Sequence, residues 1–451
     1  MADDSKRTLK NIKSGLLSRG FALAKVSVSA GAKAAGHALG GILGSEEEKG
    51  ERIKALLTSQ MDLLARELGQ LKGSVMKVGQ MLSMYGEHLL PPEANAVLKQ
   101  LQNQSPPLDW AAIEKVLIQE LGPEKLSELE IDRTSHASAS LGQVHRARIR
   151  ATGESLALKI QYPGVDRAID SDLSALRRIL SMARILPKID RYDELFAEVR
   201  EMLKQEVDYT REAQFTAEFA ARVQEDSRYR VARVYERYSA QRVIATEFLE
   251  GVGVDSPEVK GLPQARRDAL GKAFFELYLR ELFEFRSMQT DPHFGNYRIQ
   301  IGSDGSPDRL VLLDFGAMRE IPEGFIDSYR VMVRGALHQS RAELEAGALA
   351  LGFIQSDDPE ELKDAFADLC FMFGEPFRDP HYDWRTSDLP KRVIAAGSKL
   401  AFFPKFSLRA PPREIVFLDR KLGGVFIFMS VLGVREDLRP SIVRVVGEAS
   451  R

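Results

Sequence analysis

The chain has 451 residues, 63 Lys and Arg against 65 Asp and Glu, a net charge of −2 at pH 7, and one cysteine, Cys370. This length predicts several domains, the balanced charge argues against a nucleic-acid binder, and the lone thiol excludes an internal disulfide or a Cys-rich metal site. The best candidate for a membrane span, residues 423–434, is too short, and the start around Asp3 and Asp4 lacks a signal-peptide pattern. We therefore expect a cytoplasmic protein in a reducing compartment, without a transmembrane segment.

The first 45 residues form a segment of distinct composition. They are rich in Gly, Ala and Ser, and their Lys and Arg residues are opposed only by Asp3 and Asp4. We interpret residues 1–45 as a flexible, solvated basic leader. The alternative is that the apolar residues within 16–28 line a helix that contacts an anionic membrane surface.

Residues 46–130 are predicted to form a helical extension. Leucines recur at helical spacings from Leu56 to Leu68, and no proline interrupts the pattern before Pro91. Asp109 is a suitable N-cap for a further helix over residues 110–121.

A small lobe that contains β-structure is predicted over residues 131–250, with an inserted helix. Two short apolar runs, 144–149 and 155–161, flank the turn sequence ATGE and indicate a hairpin. Further helices are expected over 165–186 and 192–224, and strands over 229–235 and 242–248. Residues 251–451 then follow a mostly helical pattern, interrupted by strand-like pieces at 298–301 and 310–313, and predict a larger helical lobe.

The sequence ASASLGQV, residues 137–144, matches the phosphate-covering loop of protein kinases with alanine at the first two glycine positions. The positions concerned are Ala137, Ser138, Ala139, Ser140, Gly142 and Val144. Alanine is strained at positive φ, so we expect a loop that is stiffer or differently posed than a glycine loop. Taken alone, the same letters are typical of an ordinary tight turn.

Three further features follow in the order that a protein kinase requires. Lys159 lies in the apolar strand LALK, where phosphates would pair its charge, although a lone lysine at a strand edge usually faces solvent. Asp291 and Asn296 keep the five-residue offset of the kinase catalytic loop, and Asp314 begins a DFG sequence. Asn296 and Asp314 offer the oxygen ligands that suit Mg²⁺. Each motif alone is typical of a turn, but chance explains the ordered set poorly.

Two more stretches belong to this interpretation. Glu247, Phe248 and Leu249 follow a predicted strand where a kinase hinge binds adenine through its backbone. His293 lies two residues after Asp291, where many kinases place a cation near the transferred phosphate, so that transfer would depend on protonation of this histidine.

These motifs resemble those of the UbiB/AarF family of atypical protein-kinase-like proteins, over most of residues 71–316. The family signature KxGQ is present as Lys77 to Gln80, and its E-x-D signature as Glu206 to Asp208. The family's DPHPGN loop is present with Phe294 in place of the second proline. The resemblance implies an α+β, protein-kinase-like two-lobe fold with an N-terminal helical extension packed over the cleft, where Lys77 and Gln80 gate access.

The acidic partners of the two lysines follow from helical spacing. On one continuous helix Asp208 and Glu212 share a face and Glu206 points elsewhere. We therefore expect Glu212 to pair with Lys159, and Glu206, with Asp208 as an alternative, to face Lys77. The competing interpretation is that all three are surface charges.

The resemblance implies an ATPase or a small-molecule or lipid kinase that binds ATP or ADP with Mg²⁺ or Mn²⁺, with Asp291, Lys159 and His293 as the catalytic residues. It also implies a peripheral membrane protein that supports isoprenoid quinone (coenzyme Q) biosynthesis or lipid metabolism. Expected partners are an anionic membrane surface, a lipid or quinone-like ligand and biosynthetic proteins, and not nucleic acid. The alternative is a nucleotide-switched pseudokinase scaffold, and a conventional protein kinase ranks last.

Overall fold

The computed structural model describes residues 77, 81, 108–139, 141–182, 191–303, 305–401, 403 and 413–448. The predicted leader and nearly all of the predicted helix over 46–90 lie outside the described residues, although Lys77 and Met81 are helical. The described chain divides into two compact units. Unit 1 comprises the residues up to Gln214 together with 234–248, and unit 2 comprises 215–233 together with the residues from Leu249 onward.

The first helix of unit 1 begins where the sequence predicts. Helix α1 spans Trp110–Ser127, and the Asp109 side chain caps it by accepting the Ala112 amide at 3.3 Å. The helix continues beyond the predicted end at residue 121, across a kink where Gly122 has φ 75° and Pro123 follows. Glycine reaches this left-handed backbone without strain, which allows the chain to kink and then continue as a helix.

The sheet of unit 1 is antiparallel and confirms the predicted hairpin. The strands are β1 Leu129–Ile131, β2 Ala137–Ser138, β3 Gly142–Ile149, β4 Ser155–Gln161 and β6 Val243–Glu247, in the order β1-β3-β4-β6 with β2 also on β3. Alternate residues of β4, namely Leu156, Leu158 and Ile160, are fully buried in a core shared with α1. Lys159 lies between them in the sequence and therefore on the opposite face of the sheet.

The helices of unit 1 differ from the prediction at one point. Helix α2 spans Val165–Met182, α3 spans Arg191–Glu206 and α4 spans Tyr209–Val223. The expectation of one continuous helix over 192–224 is wrong, because the chain breaks between α3 and α4. At the break, the Val207 carbonyl accepts a hydrogen bond from the side chain of Gln161 on β4 at 2.9 Å. This long-range contact is invisible in the helical pattern of the sequence.

Unit 2 combines short strands with many helices. Its strands are β5 Tyr229–Val231, β7 Ser287–Gln289, β8 Tyr297–Gln300, β9 Arg309–Leu312 and β10 Met318–Glu320. Its helices are α5 Pro257–Lys260, α6 Gln264–Leu279, α7 Glu323–His338, α8 Arg341–Ala350, α9 Glu360–Gly374, α10 Leu389–Ala401, α11 Arg413–Leu432 and α12 Arg439–Val446. Strand β9 pairs with β8 and β5, and β7 pairs with β10.

The core of unit 2 is built around α6 and α11. The rings of Phe274 on α6 and Phe428 on α11 stack with centroids 3.7 Å apart, and both side chains are fully buried. Phe428 and Met429 are fully buried in this core, whereas Ile427 on the same helix is exposed. A search of the described helices finds none with the length and apolar character needed to span a membrane.

A buried histidine lies beneath the sheet of unit 1. His145 on β3 contacts the Gln143 amide nitrogen through Nε2 at 2.9 Å and the Asp132 carbonyl through Nδ1 at 2.8 Å. The Oε1 atom of Gln143 in turn accepts a hydrogen bond from the Leu108 backbone amide at 2.9 Å. The Gln143 amide can only donate to an unprotonated Nε2, so this network holds the neutral imidazole with its proton on Nδ1.

We expect the stability of unit 1 to fall as the pH drops below about 6.5, the ordinary value for histidine. Burial lowers the pKa of His145, so the unfolded chain takes up a proton in this range while the folded chain does not, and acid favours unfolding. Urea unfolding at pH 7.5 and pH 5.5 measures this loss. If a His145→Gln variant lost the same stability between pH 7.5 and pH 5.5 as the wild type, the loss would come from titratable groups other than His145.

Candidate active site

Lys159 forms a partly buried ion pair within unit 1. Its register places it between Val144 on β3 and Ile244 on β6. The Lys159 ammonium donates to both carboxylate oxygens of Glu212, at 2.7 and 2.9 Å, and 4% of the Glu212 side chain is exposed. Glu212 lies in the first turn of α4. The ion pair is the one expected from the sequence; its role in phosphate binding stays a prediction.

The second lysine also has an acidic partner within unit 1. Lys77 is 4% exposed and forms a salt bridge with Glu206, at the end of α3. The other signature residue, Gln80, lies outside the described residues. The expectation that Asp208 and Glu212 share one face of a continuous helix is wrong, because Asp208 precedes α4 and its side chain accepts the Arg211 amide at 3.0 Å. The structure thus places Asp208 as a cap for α4.

The small-residue loop forms a tight turn between β2 and β3. Ala137 pairs with Val144, Ser138 pairs with Gln143, and the Ala139 amide donates to the Gly142 carbonyl at 2.9 Å; Ser140 lies outside the described residues. Apart from glycine, the described residues with positive φ are Arg286 and Gln339. The turn therefore uses left-handed backbone at neither Ala137 nor Ala139, and the expectation of a stiffer or differently posed loop stays a prediction.

Glycine is required at the third position of this loop. A Cβ atom on Gly142 would lie 2.3 Å from the Ile160 carbonyl oxygen and 2.9 Å from the Tyr209 hydroxyl. The close approach of β3 to β4 and to the start of α4 thus explains why this glycine is present while alanine occupies the first two positions.

The hinge candidates follow β6, where Glu247 is the last residue of the strand. The Phe248 amide donates to the Ser155 carbonyl at 2.9 Å, so it is engaged within the sheet. The Phe248 ring contacts both the Arg146 guanidinium, 4.0 Å from its centroid, and the His136 ring, with centroids 5.1 Å apart. Leu249 begins the second stretch of unit 2.

The metal-ligand candidates are brought together in unit 2 by one antiparallel strand pair. Tyr297 on β8 is in register with Leu312 on β9, so Asn296 just before β8 lies beside the residues just after β9. The Asn296 backbone carbonyl accepts a hydrogen bond from the amide of Leu313, the residue that precedes Asp314, at 3.0 Å. The register therefore brings an amide and a carboxylate 18 positions apart in the sequence to the same strand ends.

Local hydrogen bonds orient these two side chains. Asn296 donates from Nδ2 to the Asp291 carbonyl at 3.0 Å, and Asp314 accepts the Gly316 amide through Oδ1 at 2.9 Å. The donor set fits Mg²⁺, which is commonly bound by one or two protein oxygens together with phosphates and water. In the described part of the chain, no group of three or more His, Cys, Asp or Glu is arranged to hold a metal ion.

Asp291 pairs with a residue that the motif search missed. Arg420 on α11 donates through Nη2 to Asp291 Oδ1 at 2.7 Å, although the two residues are 129 positions apart. The signal in the sequence was two adjacent cations, Arg420 and Lys421, within the apolar run of α11. His293 is exposed, and its Nδ1 accepts a hydrogen bond from the Gly295 amide at 2.9 Å.

Comparisons with known proteins agree with the resemblance. The model of the ABC1 atypical kinase-like domain matches residues 100–346. The chain is 32% identical to atypical kinase COQ8, mitochondrial, of Schizosaccharomyces pombe over 84% of this chain and 62% of that protein. The corresponding Saccharomyces cerevisiae protein is 31% identical over 96% of this chain and 85% of its own length.

A solved structure extends the comparison to the fold. The complex of a Mycobacterium tuberculosis protein with erythromycin matches with a TM-score of 0.60 and 26% identity, covering 88% of this chain and 98% of that one. The family model matches more than half of the chain, and the Saccharomyces cerevisiae protein matches nearly all of it. The chain therefore belongs to the ABC1 atypical kinase-like family, the UbiB family, and has its α+β, kinase-like fold.

Proposed function

We propose that the protein is a Mg²⁺-dependent, ATP-binding atypical kinase or ATPase with low turnover. The observation that carries this proposal is the hydrogen bond between the Asn296 carbonyl and the Leu313 amide, which brings the Asn296 and Asp314 side chains to the same strand ends. Oxygen donors of this kind hold the metal that neutralises phosphate charge in phosphoryl transfer. Membership of a kinase-like family supports ATP as the ligand, and Mn²⁺ is the second candidate metal.

In unit 1 the phosphate-binding role is assigned to Lys159. The Glu212 carboxylate fixes the position of its ammonium group, as an acid does for the corresponding lysine of protein kinases. The turn over 137–142 covers the phosphates, Val144 supplies an apolar contact to the nucleotide, and the backbone at Glu247 binds the base. Lys77 and Gln80, with Glu206, gate access to the nucleotide.

In unit 2 the chemistry is assigned to the Asp291 carboxylate. Because Arg420 donates to this carboxylate at 2.7 Å, we assign Asp291 to orienting the attacking water or hydroxyl rather than to taking up a proton. Arg420 also places a permanent positive charge beside the reacting oxygen, a role that the sequence had suggested for a protonated His293. The Mg²⁺ ion, when bound, supplies charge neutralisation on the phosphates.

We infer that the acceptor is water or a small or lipid-like molecule, in support of isoprenoid quinone biosynthesis or lipid metabolism at a membrane surface. This inference rests on the family and on the names of the COQ8 relatives, which are described as mitochondrial. The competing hypothesis is a scaffold that uses bound nucleotide as a switch for partner enzymes and turns over little. A conventional protein kinase is the least favoured function.

Phosphate release from ATP tests the proposal. We expect release by the full chain that requires Mg²⁺, is abolished by EDTA, and rises when vesicles containing anionic lipid are added. A chain without residues 1–45 separates membrane binding by the basic leader from catalysis. We expect its phosphate release in the absence of vesicles to equal that of the full chain, and we expect vesicles not to increase it.

Three results would change the assignment. Mg²⁺-dependent nucleotide binding with no phosphate release would favour the scaffold hypothesis. Efficient phosphorylation of an added protein would favour a conventional kinase. Equal vesicle flotation with and without residues 1–45 would leave the leader as a solvated segment.

A further inference from the structure

A fully buried ion pair lies beneath the loop that carries Asp291 and Asn296. Lys421 on α11 and Glu281 are 1% and 2% exposed, and their charged atoms lie 2.9 Å apart. Glu281 belongs to a π-helical turn, Arg280–Glu284, that follows α6. The Lys421 ammonium lies 5.9 and 5.8 Å from the ring centroids of Phe274 and Tyr297.

Through Tyr297, the Lys421 side of this pair links both ends of the loop. Lys421 donates to the Tyr297 hydroxyl at 3.2 Å at the end of the loop, and this hydroxyl donates to the side-chain oxygen of Gln289 at its start, at 3.3 Å. The residues between Gln289 and Tyr297 include Asp291, His293 and Asn296. The buried pair therefore closes the base of the proposed catalytic loop.

Burial energetics argue against a purely stabilising role for this pair. Removing two charges from water costs several kcal/mol per ion, and apolar residues of similar shape usually stabilise a core as well or better. A buried ion pair does fix the direction of its hydrogen bonds, because each buried donor and acceptor must be satisfied. Here the directed bonds end on residues next to the proposed metal ligand.

Neighbouring residues of α11 hold different parts of the loop. Arg420 reaches the Asp291 carboxylate at the surface of unit 2, and Lys421 reaches Tyr297 in the core. Tyr297 directly follows Asn296, whose amide is further held by the Asp291 carbonyl. A displacement of the Tyr297 ring would therefore move the Asn296 side chain.

We propose that Lys421, together with Glu281, is a positioning residue that fixes Tyr297 and thereby places the Asn296 amide oxygen to bind the divalent cation of the nucleotide complex. It acts through Tyr297 and does not contact the nucleotide. This role rests on the proposed function, because it requires a nucleotide-bound metal at Asn296.

The decisive variant is Tyr297→Phe, which removes only the hydroxyl and leaves both the ring and the ion pair. We expect the Mg²⁺ concentration that half-saturates nucleotide binding to rise about tenfold, the effect of losing an outer partner of a metal ligand. Nucleotide affinity in EDTA should not change. Titration calorimetry with ATP at a series of Mg²⁺ concentrations measures both. The control is Tyr329→Phe, which removes the hydroxyl of another buried tyrosine of unit 2.

Removing the charges of Lys421 and Glu281 tests the same proposal independently. Lys421→Met alone would leave Glu281 buried without its counter-ion, and we expect it to unfold. The double variant Lys421→Met/Glu281→Gln keeps the shape without charge and should fold, with the same rise in Mg²⁺ requirement as Tyr297→Phe. Adding Tyr297→Phe to the double variant should cause no further rise, since the three residues act as one unit.

The outcomes separate this role from the function on which it rests. Wild-type and Tyr297→Phe proteins with the same Mg²⁺ half-saturation would overturn the positioning role while leaving the proposed function intact. A lower melting temperature with unchanged Mg²⁺ requirement would identify the cluster as structural only. Nucleotide binding by the wild type that ignores Mg²⁺ would overturn the proposed function, and the positioning role with it.

Discussion

Replacing Asp314 with asparagine is expected to reduce Mg²⁺-dependent phosphate release by about a thousandfold. Metal-ion stabilisation of phosphoryl transfer is worth several kcal/mol, and each ~1.4 kcal/mol changes the rate tenfold. In the wild type, the Asp314 carboxylate accepts a hydrogen bond from the Gly316 amide at 2.9 Å. Asparagine has nearly the same size and keeps an oxygen that can accept this hydrogen bond. The change therefore removes the charge that binds the metal while preserving the turn.

A matched control for Asp314→Asn lies on α7 of the same unit. Asp327 is 64% exposed and pairs with Arg330 three residues later, so Asp327→Asn should leave turnover within about twofold, as is usual for a surface pair. Both variants would be measured over a range of Mg²⁺ concentrations. If Asp314→Asn retained wild-type turnover and Mg²⁺ requirement, the assignment of Asp314 to the metal would be wrong.

Replacing Lys159 with methionine is expected to weaken nucleotide binding at least tenfold and to destabilise unit 1 by about 3 kcal/mol. The loss of stability follows because Glu212, with 4% of its side chain exposed, would keep its buried charge but lose both hydrogen bonds from the Lys159 ammonium. The loss of affinity follows because a charge-assisted contact to phosphate is removed. Urea unfolding and calorimetry with ATP measure the two effects separately.

The double variant Lys159→Met/Glu212→Gln separates these two effects. It replaces the ion pair with a neutral pair, so we expect it to recover most of the stability but none of the affinity. The control is Lys272→Met: Lys272 and Glu436 also lie 2.7 Å apart, but their side chains are 36% and 40% exposed, so the cost should stay below about 1 kcal/mol. Wild-type affinity in the double variant would mean that Lys159 does not bind phosphate.

Local sequence signals predicted the elements whose causes are local. The Asp109 cap and the hairpin of β3 and β4 depend on residues within a few positions of each other, and both are confirmed. The acidic partner of Lys159 was also predicted, although the helical argument behind it was wrong. Glu212 reaches the lysine because α4 begins anew after Val207.

Contacts between distant parts of the chain were not predictable in the same way. Arg420 carries no motif, and its pairing with Asp291 depends on the packing of α11 in the core of unit 2. The backbone of the turn at Ala139, which does not have positive φ, likewise depends on the pairing of β2 with β3.

The order of chemical groups along the chain was therefore determined by the sequence alone: a small-residue loop, a strand lysine, an Asp and Asn five apart, and a later DFG. Which of these groups meet was decided by tertiary structure. Strand register brings Asn296 beside Leu313, and Lys421 on α11, paired with Glu281 after α6, reaches Tyr297 at the end of the loop that begins at Gln289. The physical reason is that hydrogen bonding and burial act between segments far apart in sequence, where periodicity and spacing carry no information.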